Sequence, residues 1–202
     1  MTDRKKRNLI FDVGEVLLDY RWKEMLLEHG LSGERAERVG RLLFDDPEWS
    51  DHDRGIIGEE EMVRKLRDRY PDEADDIEWL VEEAAQMPVR RPAVYERMRE
   101  LKAAGHPIYL LSNYSRRFFE LHTDGAPFME LIDGVVVSYM VHLVKPEPAI
   151  YRYLLDRYGL KAEDCVFFDD RAENIEAARE MGIEAHQVSS QKELLARLAA
   201  IS

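Results

Sequence analysis

Strand and helix patterns alternate along this chain in a way that predicts an α/β fold. The expected form is a Rossmann-like parallel sheet core with helices on both faces plus an inserted α-helical cap. Three observations carry the prediction. Short apolar runs at 9–11, 108–111, 134–138, 165–168 and 184–188 are interleaved with helix-patterned segments, the signature of βαβ units. Runs such as "VFF" at 166–168 lack polar alternation, as strands buried on both faces do. Finally, residues 20–87 carry no strand pattern and repeat apolar positions at three and four residue spacings, which reads as helices.

The elements follow in order. "NLIF" at 8–11 suits a buried strand and turns abruptly at Asp12. The charged helical segment then places Met62, Leu66 and Tyr70 on one face, and Ile77, Leu80 and Val81 on another. Pro88, Arg90, Arg91 and Pro92 mark the return to the core. Helices are expected at 92–104, 116–121, 148–158, 172–181 and 191–200. The domain division is therefore residues 1–19 and 88–202 for the core and 20–87 for the cap. Acidic runs such as "GEEEM" and "PDEADD" in the cap read as solvated helix faces.

Bulk composition narrows the function. At 202 residues, 45% of them hydrophobic, the chain is long enough to bury a sizeable core. A formal charge of −12 argues against nucleic acid or an anionic membrane as the main partner, because both require a basic face. The single cysteine, Cys165, has no internal disulfide partner and reads as a small buried hydrophobe. The basic start meets Asp12 too soon to form a signal peptide, and no stretch reaches the roughly 18 apolar residues of a membrane span. A cytoplasmic location is expected. Oligomeric state is not encoded in any pattern here.

Ligands of open parallel sheets bind beyond the carboxyl ends of the strands, so the polar residues that follow each strand are the candidate site. They are Asp12 after the first, Ser112 and Asn113 in "YLLSNYS", Lys145 in "SYMVHLVKPEP", and Asp169 and Asp170 in "VFFDDRAENI". Singly each is ordinary: Asp and Ser-Asn pairs make turns and helix caps. Together, each at a strand end, they form a constellation. Three carboxylates at one sheet edge repel unless a cation sits among them, and an all-oxygen site suits magnesium. Magnesium and Lys145 would neutralise a phosphoryl group while Ser112 and backbone N–H groups hydrogen-bond its oxygens.

The segments "IFDVGEVLLD", "LLSNYS", "VKPEPAIY" and "FFDDRAENIEAA" resemble the four motifs of the haloacid dehalogenase superfamily, in the branch with a small helical cap after the first strand. The resemblance covers nearly the whole chain. It implies that Asp12 is a nucleophile forming an aspartyl-phosphate, and that Ser112, Asn113 and Lys145 hold the phosphoryl group. It implies also that Asp12, Asp170 and the Gly14 carbonyl ligate Mg2+ with support from Asp169. The cap segment "PEWSDHDRGIIGEEEM" resembles the loop that faces the active site, which nominates His52, Asp53 and Arg54 for substrate contact. The family's dehalogenases share Asp, Ser and Lys but work without metal, so the intact Asp169-Asp170 pair favours phosphoryl transfer over carbon–halogen hydrolysis. The implied function is a magnesium-dependent phosphatase acting on a small phosphorylated metabolite, such as a sugar phosphate.

One position departs from the pattern. The family's phosphatases usually carry a second Asp two residues after the nucleophile, as general acid and base; here that residue is Gly14. Loss of a general acid costs about 10²–10⁴ in rate. Three consequences are open: a binding or regulatory protein with weak or no turnover, a substitute acid (Glu15, His52 or Asp53), or a substrate whose leaving group needs little protonation. A glycine with positive φ at 14 would strain any replacement. The tryptophans Trp22, Trp49 and Trp79 all fall in the cap, where packing between short helices accounts for them, with Trp22 and Trp49 placed to border a pocket.

Overall fold

The computed structural model describes residues 6–201; the first five residues of the expected core segment, with most of its basic start, and residue 202 lie outside the described residues. In chain order the elements are β1 (Asn8–Phe11), β2 (Leu18–Tyr20), α1 (Trp22–Glu28), α2 (Gly33–Phe44), α3 (Pro47–Asp53), α4 (Glu59–Arg69), α5 (Ala74–Glu82), β3 (Pro88–Arg90) and α6 (Pro92–Ala103). There follow β4 (Ile108–Ser112), α7 (Arg116–Thr123), β5 (Gly134–Val137), α8 (Ser138–Val141), α9 (Pro148–Tyr158), β6 (Cys165–Asp169), α10 (Ala172–Glu180), β7 (Glu184–Gln187) and α11 (Gln191–Ala199).

The main sheet has five strands in the order β5-β4-β1-β6-β7, all parallel. Successive residues of a strand point to opposite faces, and β1 shows it: Leu9 and Phe11 enter one apolar cluster while Ile10 enters the other. The first cluster takes Val94 and Met98 of α6 and Leu194 and Leu198 of α11; the second takes Ile150 and Leu154 of α9 and Ile175 and Ala178 of α10. Helices therefore cover both faces, and every residue of β4 and β6 is buried, which explains the uninterrupted apolar runs. The five strands of the main sheet and all five core helices anticipated from the sequence are present within two residues at each end.

Between β1 and α6 the chain is helical, as the apolar spacing predicts, with one addition. β2 and β3 pair antiparallel, Leu18 opposite Arg90 and Tyr20 opposite Pro88, stitching together the two ends of the inserted segment. Arg91, only 2% exposed, fastens this junction: its guanidinium donates to the Val16 carbonyl at 2.7 Å and to Asp19. The Tyr95 hydroxyl accepts from the Arg91 N–H and donates to the Leu17 carbonyl. No helix among the described residues is long and apolar enough to cross a membrane.

Candidate active site

Parallel strands that start in register also stop together, and β1, β4 and β6 end side by side at one edge of the sheet. Asp12 follows β1, Ser112 closes β4 and Asp169 closes β6. The Ser112 hydroxyl donates to Asp12 Oδ1 at 2.5 Å, and the Val13 N–H donates to the same oxygen at 2.8 Å. Lys145 Nζ lies 2.9 Å from Asp12 Oδ2 and 2.5 Å from Asp169 Oδ2. Asn113 fixes the backbone of that lysine from both sides, its Nδ2 donating to the Lys145 carbonyl at 2.9 Å and its Oδ1 accepting from the Lys145 N–H at 2.8 Å. Asn113 thus positions Lys145.

Asp169 and Asp170 differ sharply although they are adjacent. Asp169 is fully buried, and its two oxygens accept from Lys145, from Asn174 Nδ2 at 2.9 and 3.0 Å, and from the Arg171 N–H at 2.9 Å. Those oxygens are engaged by Lys145, Asn174 and the Arg171 N–H, so Asp169 holds Lys145 in place. Asp170 is the opposite case: among the described residues its carboxylate receives no side-chain hydrogen bond, while its backbone carbonyl accepts from Gln187. Oxygens of Asp12, Asp169 and Asp170 lie within 4.8 Å of one another.

Electrostatics define what the cluster can take. Burial pushes the Asp12 carboxyl up to about 7; Lys145 opposes the shift while Asp169 and Asp170 add to it. Asp170 rises to about 6 through burial and the charge of Asp169. Burial also works against the charge on Lys145, but Asp12 and Asp169 outweigh it and hold the ammonium form. One lysine does not balance three clustered carboxylates, and a divalent cation bound by oxygens would. The donor set fits Mg2+.

Above the sheet edge a cavity of about 640 Å³ opens between the core and α2–α3; Asp12, Gly14, Ser112, Asn113, Lys145 and Asp170 form its floor. Asp53 also lines it, at the carboxyl end of α3 rather than in a loop. Its Oδ1 accepts from the Ser115 N–H at 2.9 Å, and burial with the nearby charge of Asp12 raises its pKa to about 7. The other two cap candidates do not line this cavity. His52 is buried against Phe118 and Trp49 and borders a separate cavity on the far side of α3. Burial lowers its pKa to about 4, so it is neutral and apolar in character. Arg54 makes a forked ion pair with Glu147 at 3.1 and 2.5 Å and donates to the His142 carbonyl at 3.3 Å. His142, in the loop before Lys145, is exposed and approaches the Arg54 carbonyl rather than Asp12. Adjacent residues on a helix face different ways, and only Asp53 of the three lines the cavity with Asp12.

The contacts of Arg54 tie α3 to the loop that carries Lys145. The Arg54→Ala variant is expected to lose up to about 1 kcal/mol of stability, the range for a partly exposed pair, with KM unchanged within about twofold. Urea melts and steady-state kinetics check both; a tenfold rise in KM at unchanged stability would restore Arg54 to the substrate.

Gly14 is not strained. Its φ lies outside the left-handed region, which is occupied instead by Glu15 at φ 54°. A side chain at 14 would meet Tyr20: a Cβ there lies 2.8 Å from Tyr20 Cε2 and Oη, so the ring would have to shift. Glu15 also lines the cavity, its pKa raised to about 7 by burial and by Asp19.

A family model for haloacid dehalogenase-like hydrolases matches residues 6–182, and the chain belongs to that family. It is 28% identical to the drimenol cyclase of Aspergillus calidoustus over 88% of its own length, and spans about a third, 33%, of that larger protein. It is 24% identical to a sesquiterpene phosphatase of Aspergillus oryzae, covering 86% of this chain and 85% of that one. A haloacid dehalogenase family enzyme of Bacteroides thetaiotaomicron, solved with magnesium and inorganic phosphate, superposes with a TM-score of 0.71 at 21% identity over 92% of this chain and 96% of that one. An L-2-haloacid dehalogenase superposes with a TM-score of 0.75 at 19% identity, over 98% and 99% of the two chains. At such identities the structural likenesses establish the fold alone.

Proposed function

We propose that the protein is a cytoplasmic, magnesium-dependent phosphatase acting on a small phosphorylated metabolite, with residues 20–87 as the cap over its site. The observation that carries the reading is the asymmetry at the sheet edge. Asp12 is held by Ser112 and Lys145, while Asp170 stands beside it with a carboxylate that nothing among the described residues engages by a side-chain hydrogen bond.

In this reading an Asp12 carboxylate oxygen attacks phosphorus, and the bond from phosphorus to the ester oxygen breaks with its electron pair going to that oxygen, which takes a proton from solvent and departs as the alcohol. Water then attacks the phosphorus of the acyl phosphate, releasing inorganic phosphate and the free carboxylate. The Ser112 hydroxyl and the Lys145 ammonium, already directed at Asp12, meet the phosphoryl oxygens. Asp169 keeps Lys145 charged and in place, and Asn174 keeps Asp169. Asp12, Asp170 and the Gly14 carbonyl would hold Mg2+, which when bound supplies positive charge against the phosphoryl group. The absence of a carboxylate at 14 favours sugar 1-phosphates, acyl or aryl phosphates, whose leaving groups need little protonation, and it keeps a slow phosphometabolite binder as the second reading.

The test is a panel of phosphate monoesters assayed with MgCl2 and with excess EDTA. Hydrolysis is expected to fall by about 10²-fold or more on chelation and return on adding magnesium. Metal-independent turnover of a 2-halo acid, with no phosphatase activity, would replace this reading with the dehalogenase one.

A further inference from the structure

The walls of the cavity differ in kind from its floor. Tyr20, Trp22, Phe44, Trp49, Phe118 and His122 all line it, and their rings touch in sequence. Tyr20 meets His122 at 5.6 Å between centroids, His122 stacks on Phe118 at 5.7 Å, and Phe118 meets Trp49 at 5.3 Å. Trp49 then meets Phe44 edge-on at 4.9 Å, and Phe44 meets Trp22 at 5.6 Å. His122 belongs to the belt as a neutral ring. Burial lowers its pKa to about 4, and its nitrogens lie 3.1 Å from the Tyr114 hydroxyl and 2.9 Å from the Ala84 carbonyl.

Two glycines make room for this belt. A Cβ on Gly40, in the interior of α2, would meet the Trp22 ring at 2.3 Å, and one on Gly14 would meet Tyr20 at 2.8 Å. Glycine inside a helix costs roughly 1 kcal/mol relative to alanine, so a packing reason is expected, and the indole supplies it. Trp79, by contrast, stacks on His29 at 3.8 Å and is not part of the lining.

Polar groups on the wall are engaged elsewhere. Asp46 caps α3 and accepts from Arg69 and Tyr70; Asp53 accepts from Ser115. Asp45 and Ser50, exposed at the rim, remain, with the Glu15 carboxylate and the Tyr20 hydroxyl nearer the floor. Lys145 and Arg171 are the only cations among the described lining residues, and Arg171 pairs with Glu173. A polyol would find few donors and acceptors here, and a second phosphate or a carboxylate would find no free cation.

We infer that the organic part of the substrate is an uncharged, apolar group of ring size or larger, carried on a single phosphate and packed against the aromatic belt. This rests on the phosphatase reading above and narrows it away from sugar phosphates. Aromatic and branched aliphatic groups share the chemistry the belt recognises, since both bury apolar surface against rings.

The experiment holds the leaving group constant. Wild-type protein is assayed with 2-(1-naphthyl)ethyl phosphate, citronellyl phosphate and ribitol 5-phosphate, all esters of primary alcohols. One or both apolar esters are expected to exceed the polyol ester in kcat/KM by about tenfold or more, through KM; which of the two leads tells aromatic from isoprenoid. Trp49→Leu, which keeps the site apolar, should raise KM for naphthylethyl phosphate about tenfold and that for ribitol 5-phosphate by no more than about twofold. Equal or better use of the polyol ester, with Trp49→Leu silent, overturns the inference. If no ester is hydrolysed, calorimetric titration of the same three compounds into the protein keeps the two ideas apart. Preferential binding of the apolar esters then sustains the belt while the phosphatase reading fails, and no preference overturns the belt as well.

Discussion

Asp12→Asn is expected to abolish turnover, lowering kcat by about 10⁴ or more, while leaving the protein folded and, without metal, more stable. The amide matches the carboxylate in shape but does not attack phosphorus. The contacts to Oδ1 survive, because an amide oxygen still accepts from the Ser112 hydroxyl and the Val13 N–H, while the ion pair of Oδ2 with Lys145 is lost and Lys145 keeps Asp169. The stability gain follows from linkage. In the folded chain the Asp12 carboxyl sits at about 7, against its ordinary 3.8. The folded state therefore holds the proton more tightly than the unfolded one. Wild-type stability from this group falls as pH rises from about 4 to about 7, and the amide removes the loss. Thermal melts in EDTA should show the Asp12→Asn protein gaining on wild type across that window and level with it near pH 4. Acid-quenched wild-type reactions should carry one covalently bound phosphoryl group, absent from the variant. A variant that keeps its rate within tenfold of wild type would mean that Asp12 is not the nucleophile.

Restoring a carboxylate at 14 should have the second largest effect, and only in company. Gly14→Asp alone places a Cβ into the Tyr20 ring, so it is expected to displace that ring and disturb the start of the cap. Gly14→Asp combined with Tyr20→Ala clears the space, and backbone φ at 14 raises no objection. The double variant should speed simple alkyl phosphates by about 10²-fold, the lower end of what a general acid supplies. Aryl and acyl phosphates, which need little protonation, should change by a few-fold at most. The measured quantity is the dependence of kcat/KM on leaving-group pKa, expected steep in wild type and shallow in the double variant. Flat dependence in both would mean that proton transfer does not limit the rate. If wild type is instead shallow and Asp53→Asn makes it steep, Asp53 is a substitute acid, since its carboxyl lines the same cavity with a pKa near 7. His52, which borders another cavity, is not expected to respond.

What the chain determined by itself was its layering and the floor of its site. Buried parallel strands must be apolar on both faces, so β4 and β6 announce themselves without reference to partners. Polar residues placed at strand ends converge because parallel strands end together, which is why Asp12, Ser112, Asp169 and Asp170 were legible from spacing and motif; Lys145, beyond β5 and the short helix α8, was legible from motif alone. Three-residue strands were not: β2 and β3 are too short for a period, and each finds its partner about 70 residues away. The cavity wall was equally hidden. Which of His52, Asp53 and Arg54 faces Asp12 depends on the rotation of α3 about its axis, set by how Trp49 packs against Phe44 and Phe118. The engagement of Asp169 by Asn174 needed the first turn of α10 folded back onto β6. Gly14 shows the division most clearly. The sequence shows glycine where the resembled family's phosphatases usually carry a carboxylate, but only the tertiary packing of Tyr20 against that backbone shows an aromatic ring in the space beside it. Local patterns follow from covalent spacing along one element; the wall is assembled from side chains far apart in the chain, whose meeting depends on how the helices pack.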